Sequence, residues 1–124
     1  MNYSLDTNAI IYWLKNEEKV TIILQKVLSG IQPISISAIV IAELFSYPDL
    51  SQDEQWQIND ITSTMTIVPL DSRIAQGAGF LRKIYGIKIA DSVIAATALS
   101  TGSTLITRNI KDFKNIPNIS LLEI

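Results

Sequence analysis

A chain of 124 residues with 48% hydrophobic content is long enough to bury one core, and its net charge of -2 argues against a general nucleic-acid binder. It contains no histidine and no cysteine. That excludes imidazole bases, Ser-His-Asp and Cys-His nucleophiles, disulfides and a Cys/His zinc site.

In chain order, YSLD (3–6) reads as a short strand, and the turn-forming Asp-Thr-Asn leads into a helix over 9–14. No basic stretch precedes an apolar run at the start, so no secretory leader is expected. Residues 17–28 form a second helix, with Val20, Ile23, Leu24, Val27 and Leu28 as its apolar stripe and Gly30 as its stop. PISIS (33–37) is a strand. Ser37 can cap a helix running through Glu43 to about Tyr47, ended by Pro48. A more polar helix spans 51–64, and TIVPL (66–70) is a strand. Helices over 72–85 and 91–100 end at Gly86 and Gly102, and strands follow at 104–107 and 119–124.

Strands separated by helices predict an α/β fold with a largely parallel sheet of four or five strands flanked by helices, formed as a single domain over residues 1–124. No stretch approaches the roughly 20 apolar residues of a membrane span. Phosphate-cradling glycine loops are absent, since GAGF (77–80) lacks both the spacing and the preceding strand.

Asp6, Glu43, Asp91 and Asp112 each lie in or beside an apolar run: YSLDTNAII, IVIAELF, GIKIADSVIAATA and TRNIKDF. Buried carboxylates are costly unless paired or bound to a cation. Ligands of open parallel sheets bind at the carboxyl ends of the strands. Asp6 ends the first strand, Glu43 follows the second, Asp91 opens a helix, and Asn109 and Asp112 follow the fourth strand, so one edge can gather them. Each has a plainer reading. Asp6 and Asp91 can cap helices, and Asp112 can be an exposed turn acid. Glu43 is harder to dismiss, because it shares a helical face with Ile39, Val40 and Tyr47. Several carboxylates without histidine suit a hard divalent ion, Mg²⁺ or Mn²⁺.

Charge is unevenly spread. Residues 1–61 hold three Lys and eight acids, and residues 62–124 hold seven Lys/Arg and four acids, giving -5 and +3. A phosphate-contacting rim can be drawn from the second half, with Arg82, Lys83, Lys88 and Arg108 as its candidates. An ordinary solvated surface is the plainer reading of the same charges.

LDTNAII (5–11), ISAIVIAEL (36–44), IADSVIAATAL (89–99) and LITRNIKDF (105–113) together resemble a PIN-domain ribonuclease, and within it the VapC-type toxins of prokaryotic toxin–antitoxin pairs. The resemblance covers essentially the whole chain. It implies a PIN-like three-layer sandwich and cytoplasmic, metal-dependent cleavage of RNA leaving a 5′-phosphate and a 3′-hydroxyl. It places Asp6, Glu43 and Asp91 on the family's metal-binding acids. For the fourth acid, many relatives carry Asp at the position of Asn109, while this branch often shows Asn there and Asp three residues on, here Asp112. Asp112 is the expected fourth catalytic and metal residue, with Asn109 assisting. Val40 replaces a common Thr. Thr7, Ser92 and Thr107 are expected to support the ligands by hydrogen bonds. A cognate antitoxin and a homodimer are also implied. Apolar surface on Ile10, Ile11, Trp13, Leu14, Ile23, Leu24 and Val27 suggests the dimer, although core packing explains the same pattern.

Three other classes fit less well. A receiver-type signalling domain needs adjacent acids after the first strand and a Lys near the last; LDTN has one acid and ISLLEI no Lys. A haloacid-dehalogenase-like phosphatase needs Asp-x-Asp where this chain has Asp6 and Asn8. A catalytically silent PIN-like module that binds RNA or protein has no need of intact Asp6, Glu43 and Asp91.

Overall fold

The computed structural model describes residues 2–30 and 33–124. β1 (Asn2–Leu5) runs through Asp6 into α1 (Thr7–Leu14). Asn16 then reverses the chain in the left-handed region, at φ 56°, which Asn tolerates better than most residues. α2 (Glu18–Leu28), β2 (Ile34–Ser37), α3 (Ala38–Leu44) and α4 (Gln52–Thr62) follow. The second half contains β3 (Thr66–Val68), α5 (Ser72–Tyr85), α6 (Ile89–Thr101), β4 (Ser103–Thr107), α7 (Ile110–Phe113) and β5 (Ser120–Glu123).

The strands lie in the order β3-β2-β1-β4-β5, and every neighbouring pair is parallel. Leu5 pairs with Ile106 and Ile36 with Ile67. This is the helix-flanked parallel sheet expected, with five strands. The order turns back at β1: one connection leads to β2, while β4 on its other side is reached only after β3. A crevice at such a switch point opens at the carboxyl ends of the strands. Asp6 and Thr107 stand there.

Local chemistry sets the element ends. Ser51 caps α4 in a full capping box with Glu54. Gly86 and Gly102 close α5 and α6 at φ 69° and 63°, where a side chain would be strained. α3 stops at Leu44, short of the expected Tyr47. Ser46 takes over the Glu43 carbonyl with both its amide (3.2 Å) and its hydroxyl (2.7 Å), which ends the ladder before Pro48. β3 ends at Val68 because Pro69 has no N–H to donate. α6 begins at Ile89, two residues earlier than expected, with Lys88 in the N-cap position. α7 was not foreseen, because four residues carry no readable period.

Leu5, Ile10, Leu24, Ile36, Leu44, Leu105, Ile106 and Phe113 are fully buried and form the core around the sheet. A smaller cluster of Ile74, Ala78, Val93 and Ala96 seals α5 against α6. The apolar faces expected to support a dimer are largely absorbed by this core. Ile10, Leu24 and Val27 are buried within the chain, and Ile11, Trp13, Leu14 and Ile23 are half-buried against it. Large exposed apolar side chains lie elsewhere, with Phe80 and Ile84 one turn apart on α5 and Ile89 nearby in sequence.

Candidate active site

Asp6 sits between two backbones. Its amide donates to the Ile106 carbonyl at 3.3 Å, which joins the end of β1 to β4. Its Oδ1 accepts the Ala9 amide at 2.8 Å and so caps α1. Its Oδ2 accepts the Thr107 hydroxyl at 2.5 Å. The capping and site readings of Asp6 are therefore compatible, because each oxygen keeps a free lone pair. Thr107 is fully buried, and its Oγ1 also accepts the Asn109 amide at 2.9 Å. One hydroxyl thus ties Asp6 to the turn that carries Asn109.

The other acids arrive from separate elements. Glu43, half-buried on α3, accepts the Thr7 hydroxyl at 2.6 Å. Asp91 lies in the first turn of α6 rather than at its cap. Ser92 is buried, but its hydroxyl donates to the Lys88 carbonyl of its own helix at 2.9 Å instead of to a neighbouring acid. Asn109 and Asp112 are partners, not alternatives: Asn109 Nδ2 donates to Asp112 Oδ2 at 2.8 Å. That bond orients the amide and leaves Asn109 Oδ1 as a free acceptor.

The electrostatics link these groups. Burial pushes the Asp91 carboxyl up to about 6, and the charges of Glu43, Asp112 and Asp6 push it the same way. Burial also raises Asp6; the Thr107 hydroxyl and Ala9 amide oppose that, and Glu43 adds to it. On both Asp91 and Asp6, burial and a neighbouring carboxylate act in the same direction.

The sequence profile of the PIN domain matches residues 3–119. The chain belongs to the PIN domain family. Ribonuclease VapC2 of Rickettsia felis is 32% identical across an alignment of 129 residues, which spans 98% of this chain and 96% of the relative. Among solved structures, VapBC2 from Rickettsia felis bound to a DNA fragment from its promoter matches at TM-score 0.85 and 31% identity, covering 100% of this chain and 99% of that one. VapBC-1 from nontypeable Haemophilus influenzae matches at TM-score 0.78 and 32% identity, covering 99% and 98%.

In this PIN domain, no three acidic side chains among the described residues approach closely enough to enclose a cation unaided. Three of the four acids are held by their own partners: Asp6 by Ala9 and Thr107, Glu43 by Thr7, Asp112 by Asn109. The donor set still fits a hard ion. It is all oxygen, its charges repel one another, and Mg²⁺ typically takes one or two carboxylates while keeping waters and substrate phosphates.

The four candidate RNA contacts differ in freedom. Lys83 and Lys88 are exposed. Arg82 donates Nη1 to the Ile87 carbonyl at 2.9 Å and braces the α5–α6 turn. Arg108 is committed within the chain: its guanidinium pairs with Glu17, donates Nε to the Ile124 carbonyl at 3.1 Å and lies 4.2 Å from the Tyr12 ring centroid. Tyr12 and Glu17 carry no local signal that marks them. Glu17 lies 91 residues from its partner, and a Glu at a helix start reads as ordinary surface.

Proposed function

We propose that this PIN domain is a single-domain, metal-dependent endoribonuclease and the toxin of a toxin–antitoxin pair. The observation that carries the reading is the Asp6–Thr107 bond at the switch point of the sheet in a chain that matches the PIN domain, where burial and the charges of Glu43, Asp112 and Asp6 also raise the Asp91 carboxyl. Its resemblance to a named ribonuclease over nearly its full length supports the substrate class, and the neighbouring VapBC structures support an antitoxin partner.

Asp6, Asp91, Glu43 and Asp112 are the residues we assign to hold Mg²⁺ or Mn²⁺. A divalent ion held there would supply positive charge to the phosphate oxygens and lower the pKa of the attacking water. Water adds to phosphorus and the P–O3′ bond breaks, leaving a 5′-phosphate and a 3′-hydroxyl. Thr107 and Ala9 orient Asp6, Thr7 orients Glu43, and Asn109 orients Asp112. Lys83 and Lys88 are the exposed cations we assign to RNA phosphates. The cytoplasm, where RNA is found, is the proposed site of action; among the described residues no helix is long and apolar enough to cross a membrane.

Purified protein should cut RNA with Mg²⁺ or Mn²⁺ and lose that activity in EDTA, with recovery on adding the ion back. Full activity in EDTA would overturn the reading.

We also infer a homodimer formed through the exposed Phe80–Ile84 face of α5. Light scattering at tens of micromolar should give twice the mass of one chain, and Phe80→Glu should give a monomer by setting a charge in an apolar contact. A monomeric wild type would count against the assembly without touching the chemistry.

A further inference from the structure

Arg108 and Glu17 form a device that the cation-site chemistry does not explain. Arg108 separates the two residues that organise Asp6 and Asp112. Thr107 on one side donates to Asp6, and Asn109 on the other donates to Asp112. Between them the backbone leaves β4 sharply, with Asn109 at φ -88° and ψ 61°. Local bonds hold that exit only within itself, Asn109 N–H to Thr107 Oγ1 and Asn109 Nδ2 to Asp112; α7 has no side-chain cap from Asn109, and its first turn is exposed or half-buried apart from Phe113.

The Arg108 side chain supplies what the turn lacks. Its fork grips both Glu17 oxygens, with Nη1 to Oε2 at 3.2 Å and Nη2 to Oε1. Its Nε holds the Ile124 carbonyl at 3.1 Å, and the Ile124 amide returns to the Thr107 carbonyl at 3.2 Å. Tyr12 of α1 lies under the guanidinium plane. The residue between Thr107 and Asn109 is thus fastened to α1, to the start of α2 and to the strand after α7. α1 is also the helix that Asp6 caps, so the same helix anchors the carboxylate and the turn that must face it.

We propose that Arg108, clamped by Glu17 and Tyr12, is a positioning residue that holds the Thr107–Asn109–Asp112 turn at the distance from Asp6 that cleavage requires. This rests on the ribonuclease reading. The pair is well suited to position and poorly suited to stabilise. Its side chains keep 38% and 35% of their surface in water, where ion pairs contribute little to overall stability. A planar fork with several donors fixes geometry as an ammonium cannot. The rival assignment for Arg108 is direct contact with RNA phosphate, and the two roles predict opposite responses to removing Glu17.

Glu17→Ala is the discriminating variant. Glu17 occupies the N-cap position of α2 but makes no capping bond there, so its loss removes the clamp and little else. With the clamp gone, kcat should fall about tenfold or more, as for other residues that orient metal-site ligands, while KM stays within about twofold. The Asn109 amide, bonded to Thr107 Oγ1, should exchange with solvent about tenfold faster in the same variant. Arg108→Gln should reproduce both effects, and Arg108→Lys should recover only part of kcat.

An RNA-contact role gives a different pattern. Arg108→Gln then raises KM and reduces the salt dependence of binding. Glu17→Ala, by freeing the guanidinium, then leaves kcat intact and lowers KM. That pattern overturns the proposal. So does unchanged Asn109 exchange in Glu17→Ala, or faster exchange with unchanged kcat. Should the wild-type chain cut no RNA with any divalent ion, the ribonuclease reading falls, and Asn109 exchange still reports whether Glu17 holds the turn. Glu17→Ala alone suffices if the Arg108 variants fold poorly.

Discussion

Asp91→Asn should lower RNA cleavage by at least about a hundredfold, the scale on which loss of one charge-stabilising group acts in a preorganised site. The same substitution should make the metal-free protein more stable at neutral pH. Burial first, and then Glu43, Asp112 and Asp6, lift the Asp91 carboxyl from 3.8 to about 6 in the folded state. Below about pH 4 both folded and unfolded chains hold the proton. Between about 4 and about 6 the folded chain holds a proton that the unfolded chain has released, so stability falls as pH rises. Above about 6 the full penalty stands. At about 1.4 kcal/mol for each pH unit the ceiling is near 3 kcal/mol, and solvent screening of a half-exposed carboxylate reduces this to about 1–2 kcal/mol. Asp6, raised in the same direction, adds to the slope. Glu17, held below its usual range by Arg108, contributes the opposite slope at lower pH. Urea denaturation in EDTA should therefore show Asp91→Asn ahead of wild type at pH 7.5 and level with it near pH 4. A variant less stable than wild type at pH 7.5 would remove the electrostatic basis of the site.

Phe113→Ala should cost about 3–5 kcal/mol, which is the range for emptying a buried aromatic site. Phe113 is fully buried and is the largest such side chain in the protein. It anchors a helix of only four residues that cannot persist on its own hydrogen bonds. Set against the 5–15 kcal/mol typical of a small domain, the loss leaves a marginal fold. Activity should decline before unfolding is complete, because Asp112 precedes Phe113 and is carried by the same turn. Chemical denaturation gives the first number and cleavage below the unfolding midpoint gives the second. A cost under about 1 kcal/mol would mean that α7 is held by something other than its aromatic anchor.

The candidate acids show what the sequence made legible. Asp6 and Asp91 were readable because each breaks an apolar run, and a polar group in such a place needs a reason. Alternating strands and helices then placed them on one edge without coordinates. Glu43 followed from its helical face. The limits have equally physical causes. Helix periodicity can reveal that Ile10 and Leu24 face something apolar, but not whether that is the chain's own sheet or a second copy. Asn109 was expected to assist Asp112, but the hydrogen bond by which it can do so depends on the coiling of α7. Ser92 kept to its own helix, where the carbonyl four residues back accepts both its amide and its hydroxyl. The clamp of Arg108 on Glu17 left no trace, since charged residues at helix starts and strand ends are common and their pairing depends on tertiary geometry alone.

The parallel pairing of β1 with β4 has a consequence for biosynthesis. Asp6 and the Thr107 hydroxyl that orients it are separated by 101 residues, and β4 fills the place beside β1 that no earlier strand takes. A ribosome thus adds 101 residues after Asp6 before the first motif acquires its partner. Until Thr107, Asp112 and Phe113 leave the exit tunnel, a nascent chain holds Asp6, Glu43 and Asp91 without the strand and turn that complete their edge. An edge assembled in this order receives the Thr107 hydroxyl and the Asp112 turn last.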